Sequence, residues 1–92
     1  MASWKPSARD DLERIWRHQI RHNGLEYADG IVAWLFELAE RIDPTHCPFL
    51  NEDTRKYVKD GYVLMVRQLP ADVEIIGVFG PGQDWTGWIG QR

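Results

Sequence analysis

The chain has 92 residues, 43% of them hydrophobic and 27% charged, so it is long enough for one small core and too apolar to be disordered. Eleven Lys and Arg against 14 Asp and Glu give a formal net charge of −3, which excludes binding to nucleic acid through bulk charge but leaves room for a local basic patch. Apolar runs are far shorter than the ~20 residues that cross a bilayer, and the first six residues lack the apolar core of a signal peptide. We expect one cytoplasmic domain over residues 1–92, with no membrane association.

The first half of the chain has helical periodicity after a short strand. Residues 2–6 end in a proline, which suits an edge strand. Ser7 and Asp10 form a predicted capping box at the start of a first helix, which Asn23-Gly24 ends. A second helix is predicted from Leu25 to Ile42, and the short link between the two helices predicts an antiparallel hairpin.

The second half changes to the period of β-strands. The predicted strands are Thr54 to Lys59, Tyr62 to Leu69 as a central strand covered on both faces, and Val73 to Phe79. Asp60-Gly61 is a strong signal for a tight hairpin turn between the first two. A tail over residues 82–92 is rich in Trp and Gly. The order β-α-α-β-β-β predicts an α+β domain with the helical hairpin packed on a small antiparallel sheet.

Three motifs that sometimes mark a catalytic or metal site have simpler interpretations here. His18 and His22 have metal-ligand spacing but lie among arginines, and the Glu of a metalloprotease motif is absent. Cys47, the only cysteine, follows His46, but adjacent residues rarely align a thiol with an imidazole. Residues 80–82 lack the Gly-Lys-Ser/Thr ending of a phosphate loop. We therefore expect no metal, no cofactor and no catalytic residue among them.

Three segments carry a resemblance to a known family. They are the helix opening Ala-x-x-Asp-Leu-x-x-Ile-Trp at 8–16, the strand at 61–66 and the strand Val-Glu-Ile-Ile-Gly-Val at 73–78. In this order they resemble the RelE/ParE superfamily of toxins from toxin–antitoxin pairs, and most closely its ParE branch. The resemblance covers about residues 2–85. It implies the RelE/ParE fold, with a helical hairpin on a sheet.

The departures from the family pattern bear on the activity. Val63 stands where the family often has Arg, and residues 80–84 stand where members commonly have a His-x-x-Arg-Asp stretch, so that only Asp84 fits. RelE-type members cut messenger RNA on the ribosome with cations at such positions. The resemblance therefore implies a ParE-like type II toxin that inhibits DNA gyrase. A RelE-type endoribonuclease is the alternative, and an inactive antitoxin-binding module is a third.

The same resemblance implies the partners and the candidate site residues. A ParD-like antitoxin would form a hetero-oligomer with the chain, and we expect no sequence-specific nucleic-acid binding by the toxin alone. The antitoxin-binding candidates are Trp16, Ile20, Trp34 and Phe36, each of which is equally suited to a core position. The target-binding candidates are Arg55, Lys56, Lys59, Arg67, Asp84, Trp85 and Trp88.

Two alternatives stay open for the target-binding candidates. The strand cations could be a solvated edge that prevents aggregation, or could work with Tyr57 or Tyr62 in RNA cleavage. Trp85 and Trp88 could seal the open sheet face or project towards a partner.

The helical hairpin also carries a contrast of charge. Residues 14–22 contain three Arg and no acid, which predicts a basic face on the first helix. Residues 26–43 contain five acidic residues and Arg41 as the single base, a net charge of −4. The contrast is consistent with two ordinary solvated faces or with faces that steer two different partners.

Overall fold

The computed structural model describes residues 2–83 as two helices packed on a four-stranded sheet. The elements are β1 (Ala2–Trp4), α1 (Pro6–Asn23), α2 (Leu25–Arg41), a short 3-10 helix (Pro44–His46), β2 (Arg55–Lys59), β3 (Tyr62–Gln68) and β4 (Val73–Phe79). The predicted α+β order is confirmed, with most boundaries within one residue. No helix among these residues has the length and apolar character needed to cross a membrane.

The sheet has the strand order β1-β4-β3-β2. The pairs β2–β3 and β3–β4 are antiparallel, as predicted, while β1 runs parallel to β4 at the edge. The sheet is therefore mixed. The helical hairpin carries the chain across one face of the sheet between β1 and β2, so that β1 reaches β4 from a distant point in the sequence.

The main core lies between the helices and the sheet. Its largest fully buried side chains include Leu35 from α2, Leu64 and Val66 from β3, and Ile75 and Val78 from β4. A bulge opposite Met65 and Val66 adds one residue to β4. The extra residue allows Ile75 and Val78, three positions apart, to face the helices together.

A second apolar cluster lies on the opposite face of the sheet, which we call the outer face. It consists of Val63, Met65, Ile76 and Phe79, all buried, with Leu50 packed against them. The prediction that β3 is covered on both faces is therefore confirmed.

The start of α1 differs from the predicted capping box. Pro6 is the first helical residue, and the residue before it, Lys5, makes no side-chain capping bond. The Ser7 hydroxyl instead donates to the Ile76 carbonyl at 2.8 Å. The capping-box prediction is wrong because the Ile76 carbonyl of β4 provides a tertiary acceptor for this hydroxyl.

Candidate functional site

A shallow groove lies between α1 and α2. We call it the hairpin groove; its volume is about 500 Å³, and it is lined by Leu12, Glu13, Trp16, Asp29, Val32, Ala33 and Phe36. The Trp16 indole Nε1 donates to the Asp29 carboxylate at 2.8 Å. Phe36 is 40% exposed, and its ring centroid lies 4.9 Å from that of Trp4. The groove therefore presents aromatic surface beside carboxylates.

The four antitoxin-binding candidates do not form one surface. Trp16 and Phe36 line the hairpin groove. Ile20 is half-buried on α1 outside the groove lining. Trp34 packs against the main core, with its ring edge-on to Tyr62 at 5.5 Å, and lines a different cleft. The structure thus brings two of the four together.

Two of the strand cations are engaged within the fold. The Arg55 guanidinium donates to the Pro44 carbonyl at 2.8 Å and to the Cys47 carbonyl at 3.2 Å. The same group lies 3.9 Å from the centroid of the Phe49 ring. These contacts fix the loop after α2 against β2, so Arg55 has a structural role.

Arg67 forms ion pairs with Glu74, its cross-strand neighbour on β4, and with Asp53. The hydrogen bond to Glu74 and the charge of that carboxylate raise the pKa of the Arg67 guanidinium, against an opposing effect of burial. Arg67 therefore remains charged, and its charge is balanced within the sheet.

The strand cations and tyrosines divide between the two faces of the sheet. Tyr57 and Tyr62 pack against the helix-side core. Because side chains alternate along a strand, Lys56 and Arg67 point to the outer face, whereas Arg55 and the exposed Lys59 lie on the helix side. The structure does not gather these residues into one cluster. Asp84, Trp85 and Trp88 lie outside the described residues.

The motifs set aside in the sequence have ordinary structural surroundings. The His18 and His22 rings lie 4.4 Å apart on an exposed face of α1, and in residues 2–83 no three His, Cys, Asp or Glu side chains gather as a metal site requires. Cys47 is buried, with its Sγ 3.6 Å from the Asp43 carbonyl, and burial raises the pKa of its thiol. A thiol of this kind is a poor nucleophile.

The predicted basic face is present as a line of cations on α1. We call Arg14, Arg17, His18 and Arg21 the basic stripe; with Asp10 and Glu13 they line a concave surface of about 370 Å³. Arg14 and His18 also border a second cleft of about 540 Å³ with Tyr62 and the loop 80–83. Burial raises the pKa of the Tyr62 phenol, which accepts a hydrogen bond from Gln19 at 3.4 Å.

Comparison with known proteins identifies the family. The family model described as "ParE toxin of type II toxin-antitoxin system, parDE" matches residues 2–85. This chain belongs to the ParE toxin family. It is accordingly a toxin of the type II toxin–antitoxin class, whose members have an antitoxin as partner.

A solved structure from P. aeruginosa, titled "Chromosomal ParDE TA system", shows the same fold as this ParE-family chain. The TM-score is 0.75 at 17% sequence identity, with 87% of this chain and 94% of the other covered. A search of curated proteins finds no match. The identification therefore rests on the family model, and the solved structure supports the fold.

Asp11 is a key residue of this ParE-family fold that the sequence analysis missed. Its carboxyl group is buried, accepts the Val78 backbone N–H at 3.0 Å and pairs with Arg14 at 2.7 Å. The signal was its position, since 8, 11, 12 and 15 share one helical face and the other three residues are apolar. An acid on a buried face needs a partner, and here the edge of β4 provides one.

Proposed function

We propose that a ParD-like antitoxin holds this chain inactive in a hetero-oligomer, and that the released toxin inhibits DNA gyrase. The observation that carries the proposal is the ParE family match over residues 2–85. Gyrase is the target associated with the ParE branch, which the helix opening at 8–16 and the strand at 73–78 resemble.

The hairpin groove supports the antitoxin half of this proposal. Phe36, which is exposed, and Trp16, which is partly exposed, offer aromatic surface between Leu12 and Val32, and such surface is typical of binding hot spots. Glu13 of α1 and Asp29 of α2 line the groove. Glu37 and Glu40 are also exposed on α2. A helical segment with apolar residues at i, i+3 and i+4 and basic residues beside them would complement the groove.

The separation of the strand cations argues against the RNA-cleavage alternative. Metal-free RNA cleavage requires a general base and cations around a single phosphate. Here Lys56 and Arg67 point away from Tyr57 and Tyr62, and both Arg55 and Arg67 are bound by neighbouring groups. Lys59, opposite Tyr62, is thus the one remaining cation of the described strands on the face of the tyrosines. We therefore favour a toxin that acts by binding its target.

A growth assay tests both the toxin role and the groove. We expect induced expression of the chain in bacteria to arrest growth, and co-expression of the antitoxin encoded in the same module to restore it. Phe36→Ala should remain toxic but lose rescue, because loss of a hot-spot aromatic weakens binding by about 30-fold, or about 2 kcal/mol.

Leu25→Ala is the matched control, since Leu25 is an exposed apolar residue on the same helix outside the groove. It should be toxic and fully rescued. Rescue of Phe36→Ala as complete as that of Leu25→Ala would contradict the groove assignment. Normal growth with the folded wild-type chain would instead identify an inactive antitoxin-binding module.

A further inference from the structure

The basic stripe lies on a different side of α1 from the hairpin groove. Arg14, Arg17 and Arg21 follow the i, i+3, i+7 pattern of one helical face, with His18 beside them. At a rise of 1.5 Å per residue, the three arginines extend over about 10 Å of helix. Only His18 and Arg14 are shared with the cleft beside Tyr62, and none of the stripe lines the hairpin groove.

The three guanidinium groups are accessible to a ligand. Arg14 is 51% exposed and is held in place by the buried carboxylate of Asp11, so little side-chain entropy is lost when it binds an anion. Arg17 pairs with Glu13 at 2.6 Å, with both side chains more than half exposed, and such a surface pair contributes little and exchanges readily. Arg21 is exposed and has no ion-pair partner among the described residues.

The spacing of the stripe fits a nucleic-acid strand. Each strand of duplex DNA carries one phosphate per 3.4 Å of helix axis, so a 10 Å line of cations can meet two or three phosphates at once. The adjoining cleft adds the half-buried side-chain amide of Gln19, which can reach a sugar or base edge, while Ile15 and Tyr62 form its buried floor. The net charge of −3 and the acidic α2 would repel DNA elsewhere, which restricts contact to this face.

We propose that the basic stripe of α1 binds the phosphate backbone of DNA without sequence preference. The choice of DNA rests on the proposed function. Gyrase acts on DNA, so a toxin bound to the gyrase–DNA complex would lie against both the enzyme and the duplex. The stripe would then orient the toxin on the gyrase–DNA complex.

Direct binding to DNA without gyrase tests this assignment. The full chain is titrated into a fluorescein-labelled 20-base-pair duplex, and anisotropy is followed from 25 to 150 mM salt. Three phosphate contacts predict a slope of about −2.7 in log K against log salt, and Arg17→Gln with Arg21→Gln should make it about 1.8 shallower. A second duplex of unrelated sequence should bind equally.

The control removes two other exposed arginines, Arg9→Gln with Arg41→Gln, which lie outside the stripe. It changes the net charge by the same amount and should leave the slope close to that of the wild type. Circular dichroism of both double variants establishes that they are folded.

Three results would overturn the proposal. The first is the absence of salt-dependent binding by the folded chain. The second is an equal loss of slope in both double variants. The third is displacement of the labelled duplex by a glutamate peptide with the same charge as the duplex, as well as by unlabelled duplex. The last result would indicate an acidic protein as the ligand. Gyrase inhibition without DNA binding would overturn this inference alone, and DNA binding without gyrase inhibition would overturn the proposed target alone.

Discussion

Asp11 links the helical layer to the sheet through a single buried carboxyl group. Within residues 2–83 no strand lies beside β4 beyond the end of β1, and the polar groups of β4 at Ile76 and Val78 are paired by Ser7 and Asp11 of α1. Two side chains one helical turn apart thus satisfy these two backbone groups. A buried backbone N–H left unpaired costs about 1–3 kcal/mol, so these contacts matter for stability.

We expect Asp11→Ala to lower the free energy of unfolding by about 2 kcal/mol, because it leaves the Val78 N–H unpaired and Arg14 without its partner. Urea denaturation followed by circular dichroism measures the change. Asp10→Ala, at the exposed neighbouring position, should stay within about 0.5 kcal/mol of the wild type. Equal stabilities of the two variants would show that the buried contact contributes nothing.

The backbone requires glycine at one of two positions, Gly61, and not at the other, Gly30. Gly61 lies in the β2–β3 turn at φ +84, after Asp60 at φ 50, and a Cβ there would meet Pro81 Cγ at 3.1 Å. The two positive φ angles match the turn type that favours Asp-Gly in hairpins. Gly30 lies inside α2, where an added Cβ would meet no atom within 4 Å beyond the adjacent backbone of its own helix. The first glycine is required by the backbone, and the second weakens its helix.

We therefore expect Gly30→Ala to raise the free energy of unfolding by about 0.5–1 kcal/mol and Gly61→Ala to lower it by about 1 kcal/mol or more. Thermal and urea unfolding of the two single variants measure these shifts. A stabilised Gly61→Ala, or a destabilised Gly30→Ala, would contradict the backbone geometry described here.

Local patterns in the sequence predicted the elements, and long-range contacts account for what they missed. The 3.6-residue period, the Asp60-Gly61 turn and the apolar run from Tyr62 place the helices and β3 correctly. The parallel pairing of β1 has no local signal, because three residues carry no information about a partner seventy positions away. The role of Ser7 was hidden in the same way, since its acceptor is on β4.

The candidate site was predictable to the extent that it depends on helical spacing. Trp16 and Phe36 meet in the hairpin groove, and the arginines of 14–22 form the predicted face. Closeness in the sequence suggests one site for the strand cations, but neighbouring residues of a strand, such as 55 and 56, point to opposite faces of the sheet. Which face the helices cover follows only from the tertiary packing.

Helix α1 lies between two surfaces of different chemistry. The hairpin groove on one side is aromatic and acidic, and the basic stripe on the other is cationic. A chain with a small net charge can thus face a basic peptide and an anionic target at once. Such an arrangement allows an antitoxin to cover the groove while contacts at the stripe are formed or blocked separately.

The most direct test of the proposed function is a plasmid cleavage assay with purified gyrase. The folded chain is titrated into gyrase with supercoiled plasmid and ATP, and the products are run on a denaturing gel. We predict that linear, cleaved plasmid accumulates with toxin concentration and disappears when the antitoxin is added. Intact plasmid at all concentrations, with messenger RNA cut on translating ribosomes by the same preparation, would contradict gyrase as the target and establish the nuclease alternative.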